Sequence, residues 1–166
     1  MARPNPINRI MEAELPSRTY QRRKLYRPDP AEVVYAYNVI NRHVFDGQLR
    51  RPDIHVRSHL RRIWGCCQWL DRKQSTGSYC TIHLSDKWFC SQWFMNTLAH
   101  EMVHQWQWDV YRWDHENYFD RKMRLDSGAH GPSFYAWRNR FSDYGLYLKT
   151  SYGQKRWFRH QDFNRC

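Results

Sequence analysis

The stretch TLAHEMVHQW, residues 97–106, sets two histidines four positions apart with a glutamate directly after the first. At about 100° per residue, His100 and His104 fall within roughly 40° of each other on a helix, one turn apart. Two imidazoles so placed can share a tetrahedral Zn2+ at about 2.0–2.1 Å each, with Glu101 turned toward the flank of the same site. The surrounding period is helical: Met95, Leu98, Ala99, Met102 and Trp106 fall at i, i+3, i+4, i+7 and i+11, a stripe predicted to face the core on the side away from the histidines. The competing reading is a solvated helix face that carries the pair by chance. A core-facing stripe behind the pair favours metal. Zinc acidifies a water, and a glutamate beside it takes the proton and passes it to the leaving amine, which makes Glu101 the candidate catalytic residue.

A catalytic zinc keeps three protein ligands and one open position, so a third ligand is required. The metzincin continuation fails, because residues 107 and 110 are Gln107 and Val110 where glycine and histidine would be needed. Glu116 is the only glutamate downstream. His115 lies on nearly the same helical face as His104, but eleven residues of continuous helix place it about 16 Å away. It reaches the metal only if the helix breaks early. His130 is the better candidate, since SGAHGPSF (127–134) is a Gly-rich turn that can fold the chain back just before a new helix.

Outward from this centre, Asp29, Pro30 and Glu32 form a helix start with a capping box, and Val33, Tyr37, Ile40 and Val44 make one apolar stripe ended by Gly47. Within residues 53–85, DIHVR, IWGCCQW and YCTIHLS read as three short strands, taken as antiparallel. A helix is expected from Ser91 to Tyr111, and a further one opens at Pro132 and ends near Gly145. The fold class is therefore α+β. The domain itself is assigned to residues 29–148, between a basic and poorly ordered arm (1–28) and a basic aromatic tail (149–166). The five cysteines are odd in number and include no C-x-x-C pair, so neither a disulfide framework nor a cysteine zinc site is indicated; Cys66 and Cys67 read as buried in a strand.

Taken in order, YNVINRHVFDGQL, the glycine-bearing IWGCCQW, TIHLSD, TLAHEMVHQW and AHGPSF resemble the SprT-like domain of the Spartan group of zinc metalloproteases, over about residues 30–145. The resemblance implies a zincin-like fold, a small antiparallel sheet beside the metal helix with an edge strand that pairs with extended substrate. YCTIHLS is the expected edge strand. It also implies a third histidine in an H-G-x-x-F segment, which His130, Gly131 and Phe134 match, and one zinc per chain. Two departures stand out. The interval from His104 to His130 is long, through WDVYRWDHENYFDRKMRLD, and the C-terminal cysteine zinc ribbon of several members is replaced by KTSYGQKRWFRHQDFNRC. A ribbonless version of this kind suits a phage or bacterial protein.

Charge suggests a second property. Lysine and arginine outnumber the acids 27 to 16, a net charge of +11 that points to a polyanion such as DNA, bound without regard to base sequence. Arg22, Arg23 and Lys24 in the arm and Lys155, Arg156, Trp157 and Arg159 in the tail are the candidate contacts, the basic groups for phosphates and the aromatic ring for base stacking. No apolar run approaches the roughly 18 residues of a membrane span and the N-terminus lacks a secretion signal, so a cytoplasmic protein, nucleoid-associated or in a host cytoplasm, is expected. Spartan-like proteases cleave proteins attached to DNA, including covalent crosslinks, and the resemblance implies that activity with DNA-bound proteins as substrates. Two other classes stay open: a non-enzymatic nucleic-acid-binding module with a structural zinc, and a zinc hydrolase acting on another bond. The intact Glu101 favours an enzyme, because a structural pin has no need of it.

Overall fold

The computed structural model describes residues 7, 10, 26–58, 63–88, 90–111 and 129–149. Its elements run α1 (Pro30–Val44), β1 (Asp53–Arg57), β2 (Gly65–Trp69), β3 (Cys80–Ser85), α2 (Ser91–Asp109), α3 (Pro132–Tyr135) and α4 (Arg138–Asp143). Helix α1 begins as its sequence dictates. The Asp29 carboxylate accepts from the Glu32 N–H at 2.9 Å, and the Glu32 carboxylate accepts from the Asp29 N–H at 3.0 Å. Such a cap is worth about 1 kcal/mol. The helix ends where Asp46 and Gly47 take positive φ (54° and 72°), and the Gly47 N–H closes back on the Asn41 carbonyl at 2.8 Å.

The sheet has the order β1-β3-β2, with β1 parallel and β2 antiparallel to β3. It is thus mixed, not antiparallel throughout, and β3 is central, so YCTIHLS is not the edge strand. Alternation of apolar residues reports which face of a strand is buried but not its direction, which is why the sequence reading took β1 as antiparallel. Ile54, Val56, Cys67, Ile82 and Leu84 turn toward the helices, and the other face carries two rows in register, Asp53, Thr81 and Gln68, then His55, His83 and Cys66.

Helix α2 is buried on nearly every side rather than along one stripe. Met95, Leu98, Ala99 and Met102 are fully enclosed as expected and Trp106 packs against the core, yet His100 and Glu101 are also only 5 % exposed. Strand β2, helix α1 and the short α3 surround it. A polar knot fixes its length against them. Tyr37 Oη donates to Gln105 Oε1 (2.9 Å), Gln105 Nε2 donates to the Arg50 carbonyl (2.6 Å) and to Asp109 (2.9 Å), and Asp109 accepts from Ser78 Oγ (2.6 Å) and the Tyr79 N–H (2.8 Å). Burial pushes the Tyr37 hydroxyl far above its ordinary pKa, so it stays a donor.

The helix expected from Pro132 to Gly145 is two short helices, α3 and α4, joined at Ala136 and Trp137. Phe134 and Phe141, one from each, are fully buried in the common core with Phe45, Trp88 and Phe94. Ile7 is buried there too, its N–H on the Tyr144 carbonyl at 3.3 Å. Cys66, Cys67 and Cys80 are free thiols, with Cys67 packed against the core and Cys66 half-buried on the outer face. Cys90 is disulfide-bonded, one bond more than the cysteine spacing had indicated. No helix among the described residues is long and apolar enough to cross a membrane.

Candidate metal centre

His100 and His104 project from the middle of α2, and the turn at Ala129 and His130, just before α3, brings the third imidazole to them. The three Nε2 atoms form a near-equilateral triangle: 3.1 Å between His100 and His104, 3.1 Å between His104 and His130, 3.3 Å between His100 and His130. Three nitrogens on a tetrahedral zinc at about 2.0–2.1 Å would stand about 3.3 Å apart, so the residues present fit that ion. Among the described residues this is the one such group of potential ligands. His115 lies outside the described residues.

Donor and acceptor accounting supports the fit. His100 Nδ1 sits 2.8 Å from the Lys149 carbonyl oxygen, which can only accept, so Nδ1 carries the proton and Nε2 a lone pair. Gln107 Nε2 donates to the Ala129 carbonyl (3.0 Å) and to Ser133 Oγ (2.8 Å), which leaves its Oε1 facing His104 Nδ1 at 2.8 Å. His104 is therefore also protonated on Nδ1, and its Nε2 also presents a lone pair. Two lone pairs aimed at each other at 3.1 Å form no hydrogen bond; a cation between them resolves the repulsion. Burial, reinforced by the neighbouring imidazoles, holds His100 well below the ordinary histidine range, and burial takes His104 down to about 4. His130 is lowered by burial as well. Neutral imidazoles are what metal ligation requires.

Phe134 backs the whole trio. Its ring centroid lies 4.8 Å from that of His100, 5.0 Å from His104 and 4.8 Å from His130, and it is fully buried. The spacing from His130 to Phe134 thus joins a ligand to the floor that supports it.

The Glu101 side chain lies against β2. The Ser85 N–H bonds the Trp64 carbonyl (2.9 Å) and the Leu70 N–H bonds the Tyr79 carbonyl (2.7 Å), so even-numbered residues of this strand direct their backbone groups at β3. By the alternation of an antiparallel pair, Gly65, Cys67 and Trp69 direct theirs outward. The Cys67 N–H, one of that outward set, donates to the Glu101 carboxylate. Gly65 makes the approach feasible: a Cβ there would stand 2.9 Å from Thr97 Cγ2 and 3.0 Å from Glu101 Oε1. Burial pushes the Glu101 carboxyl up to about 8, against the smaller opposing effect of the Cys67 N–H.

The SprT-like family model matches residues 35–152 of the chain. The chain belongs to the SprT-like family. Its fold is accordingly zincin-like and its family function is of metalloprotease type, with zinc the metal that the family suggests. No curated protein matches the chain. Of the site residues expected from sequence, His100, His104 and His130 bring their ring nitrogens together, and Glu101 lies buried against β2. The nucleic-acid candidates Arg22, Arg23, Lys24, Lys155, Arg156, Trp157 and Arg159 lie outside the described residues. Sequence reasoning missed Gly65, Gln107 and the Lys149 carbonyl. For Gln107 a signal existed, since it stands three residues after His104 and hence on a neighbouring face of the same helix.

Proposed function

We propose that this SprT-like protein is a zinc-dependent endopeptidase with Glu101 as general base and acid, acting on proteins bound or crosslinked to DNA. The observation that carries the hydrolytic reading is the pairing of the convergent histidine trio with a buried, ionisable Glu101 one residue from the first ligand. Zinc held by His100, His104 and His130 supplies the Lewis acid that acidifies water and polarises the scissile carbonyl. A cation held by the trio would favour the ionised form of Glu101, the form that a general base needs. Its carboxylate takes the proton of the attacking water and returns it to the leaving amide nitrogen. The outward backbone groups of Gly65 and Trp69, with the Cys67 carbonyl, offer an extended substrate an edge for strand addition beside Glu101.

The DNA part of the reading rests on the charge of +11. It requires salt-sensitive, nearly sequence-blind binding, and faster cleavage of a DNA-bound protein than of the same protein free, because a shared polymer raises the local concentration of substrate.

Glu101→Gln preserves size and removes the base. It is expected to keep one zinc per chain while peptide cleavage falls by about 10²-fold or more. Equal cleavage by the two proteins removes Glu101 from the mechanism. A zinc-loaded wild type that binds DNA but cleaves no DNA-bound protein points instead to a binding module with a structural metal.

A further inference from the structure

We infer that Gln107 is the positioning residue that assembles the metal centre. Its oxygen fixes the tautomer of His104, and its nitrogen seats the turn that carries His130. This concerns how the site is built and holds whether the bound metal hydrolyses peptides or only braces the fold.

The Gln107 carboxamide is fully buried, and all of its polar capacity is directed at the centre. Oε1 faces His104 Nδ1 at 2.8 Å, while the two N–H groups go to the Ala129 carbonyl at 3.0 Å and Ser133 Oγ at 2.8 Å. Ala129 directly precedes His130, and Ser133 sits in α3 beside the Phe134 floor. One side chain therefore grips a histidine on its own helix, the backbone carbonyl just before the histidine that arrives 26 residues later, and a hydroxyl just after it.

Each half of the amide meets a separate need. Unconstrained neutral imidazole prefers its proton on Nε2, the nitrogen that here must offer a lone pair. An acceptor at Nδ1 reverses that preference, and which ring nitrogen binds metal is set by the hydrogen bond the other makes. His100 receives this from the Lys149 carbonyl, and His104 from Gln107. The donor half answers a different deficit. His130 lies on a turn ahead of a helix of only 4 residues, too short to hold an imidazole by its own rigidity. Tying Ala129 and Ser133 to the buried face of α2 supplies what the short helix lacks.

Two variants separate the halves. Gln107→Leu deletes both, whereas Gln107→Glu keeps an acceptor toward His104 and sets an anion against the Ala129 carbonyl. Zinc affinity is to be measured on the full-length chain by chelator competition. Each variant is expected to weaken binding by about 10- to 100-fold, the scale of lost outer partners of metal ligands. In zinc-free protein, 15N spectra of the histidines should show His104 moving from the Nδ1–H form toward a mixture in Gln107→Leu but not in Gln107→Glu, with His100 unchanged in both. In a His130→Ala background, Gln107→Glu should cost little further affinity, because the turn then holds no ligand.

If Gln107→Leu does not fold, Gln107→Glu and Ser133→Ala carry the test, the latter deleting one acceptor of the same amide and expected to weaken zinc several-fold. Folded Gln107→Glu and Ser133→Ala proteins that bind zinc within twofold of wild type overturn the proposal, as does an unchanged His104 tautomer in folded Gln107→Leu. Wild type that cleaves normally beside unaffected variants leaves the proteolytic reading standing and removes only this one.

Discussion

Among the described residues the protein holds two clusters of histidines, and they are built differently. In His100, His104 and His130 the rings are tilted or perpendicular to one another and three Nε2 atoms meet within 3.3 Å. On the open face of the sheet, His55 and His83 pair across β1 and β3 with rings stacked at 21° and centroids 5.1 Å apart. Lone pairs lie in the ring plane, so stacked rings send theirs out side by side instead of toward a common point. Proximity of histidines is thus a poor guide to metal. What distinguishes the first cluster is direction, and direction is set by partners at the far nitrogen: Gln107 for one ring, the Lys149 carbonyl for another.

The sharpest way to break this contrast is to delete a ring from each cluster. His104→Ala removes one of three ligands and half of the helical pair, and elemental analysis is expected to find no stoichiometric zinc. His83→Ala should retain one zinc per chain. Loss of metal in the second variant would mean that the stacked pair contributes to binding after all.

Next in size is Gly65→Ala. The added methyl would meet Thr97 and Glu101 at 2.9–3.1 Å. Overpacking of that kind costs about 1–3 kcal/mol of stability. Cleavage should fall further than a change of that size explains, with zinc content intact, because the displaced group is the proposed general base. A Gly65→Ala enzyme as active as wild type would show that Glu101 has room to spare.

The zinc-free protein should also display the electrostatics of the buried cluster. His104, at about 4 when folded, binds fewer protons than in the unfolded chain, and His100 is shifted the same way. Their contribution to stability is present above the ordinary histidine pKa and lost as pH falls from 6.5 toward 4. Glu101 acts in the opposite sense. With its folded pKa near 8 against an ordinary 4.5, the folded state holds a proton that the unfolded state releases, and stability declines as pH rises between those values. Two histidines outweigh one glutamate below 6.5, so denaturant melts in chelator should give an optimum close to pH 6.5. Glu101→Gln should flatten the alkaline side and leave the acid side in place. An alkaline decline that persists in that variant would assign it to another group. The smallest effect expected is the loss from His83→Ala itself, about 0.2–1 kcal/mol for one cross-strand pair.

The elements most readable from sequence are those governed by local rules. The capping box at Asp29 and Glu32, the break at Gly47 and the helical spacing of His100, Glu101 and His104 each depend on residues within a few positions of one another. His130 was legible because a Gly-rich turn and the resemblance pointed to the same residue. Strand order was not, since nothing in DIHVR or YCTIHLS says that the first lies parallel to the second or that the second is paired on both sides. The all-round burial of α2 follows from what folds around it, and its own spacing revealed only the core-facing stripe. The Lys149 carbonyl is a backbone group, and no side-chain pattern could have named it.

The unequal mounting of the three ligands has a kinetic consequence. His100 and His104 ride on a helix of 19 residues enclosed by the core, where displacement requires the domain to open. His130 rides on a turn braced by the Gln107 amide and the Phe134 ring. Metal exchange should therefore be gated by the turn, which would lift from His100 and His104 before α2 itself moves. The rate of zinc release then reports the opening of residues 129–133, and a chelator measures local motion there long before it measures unfolding.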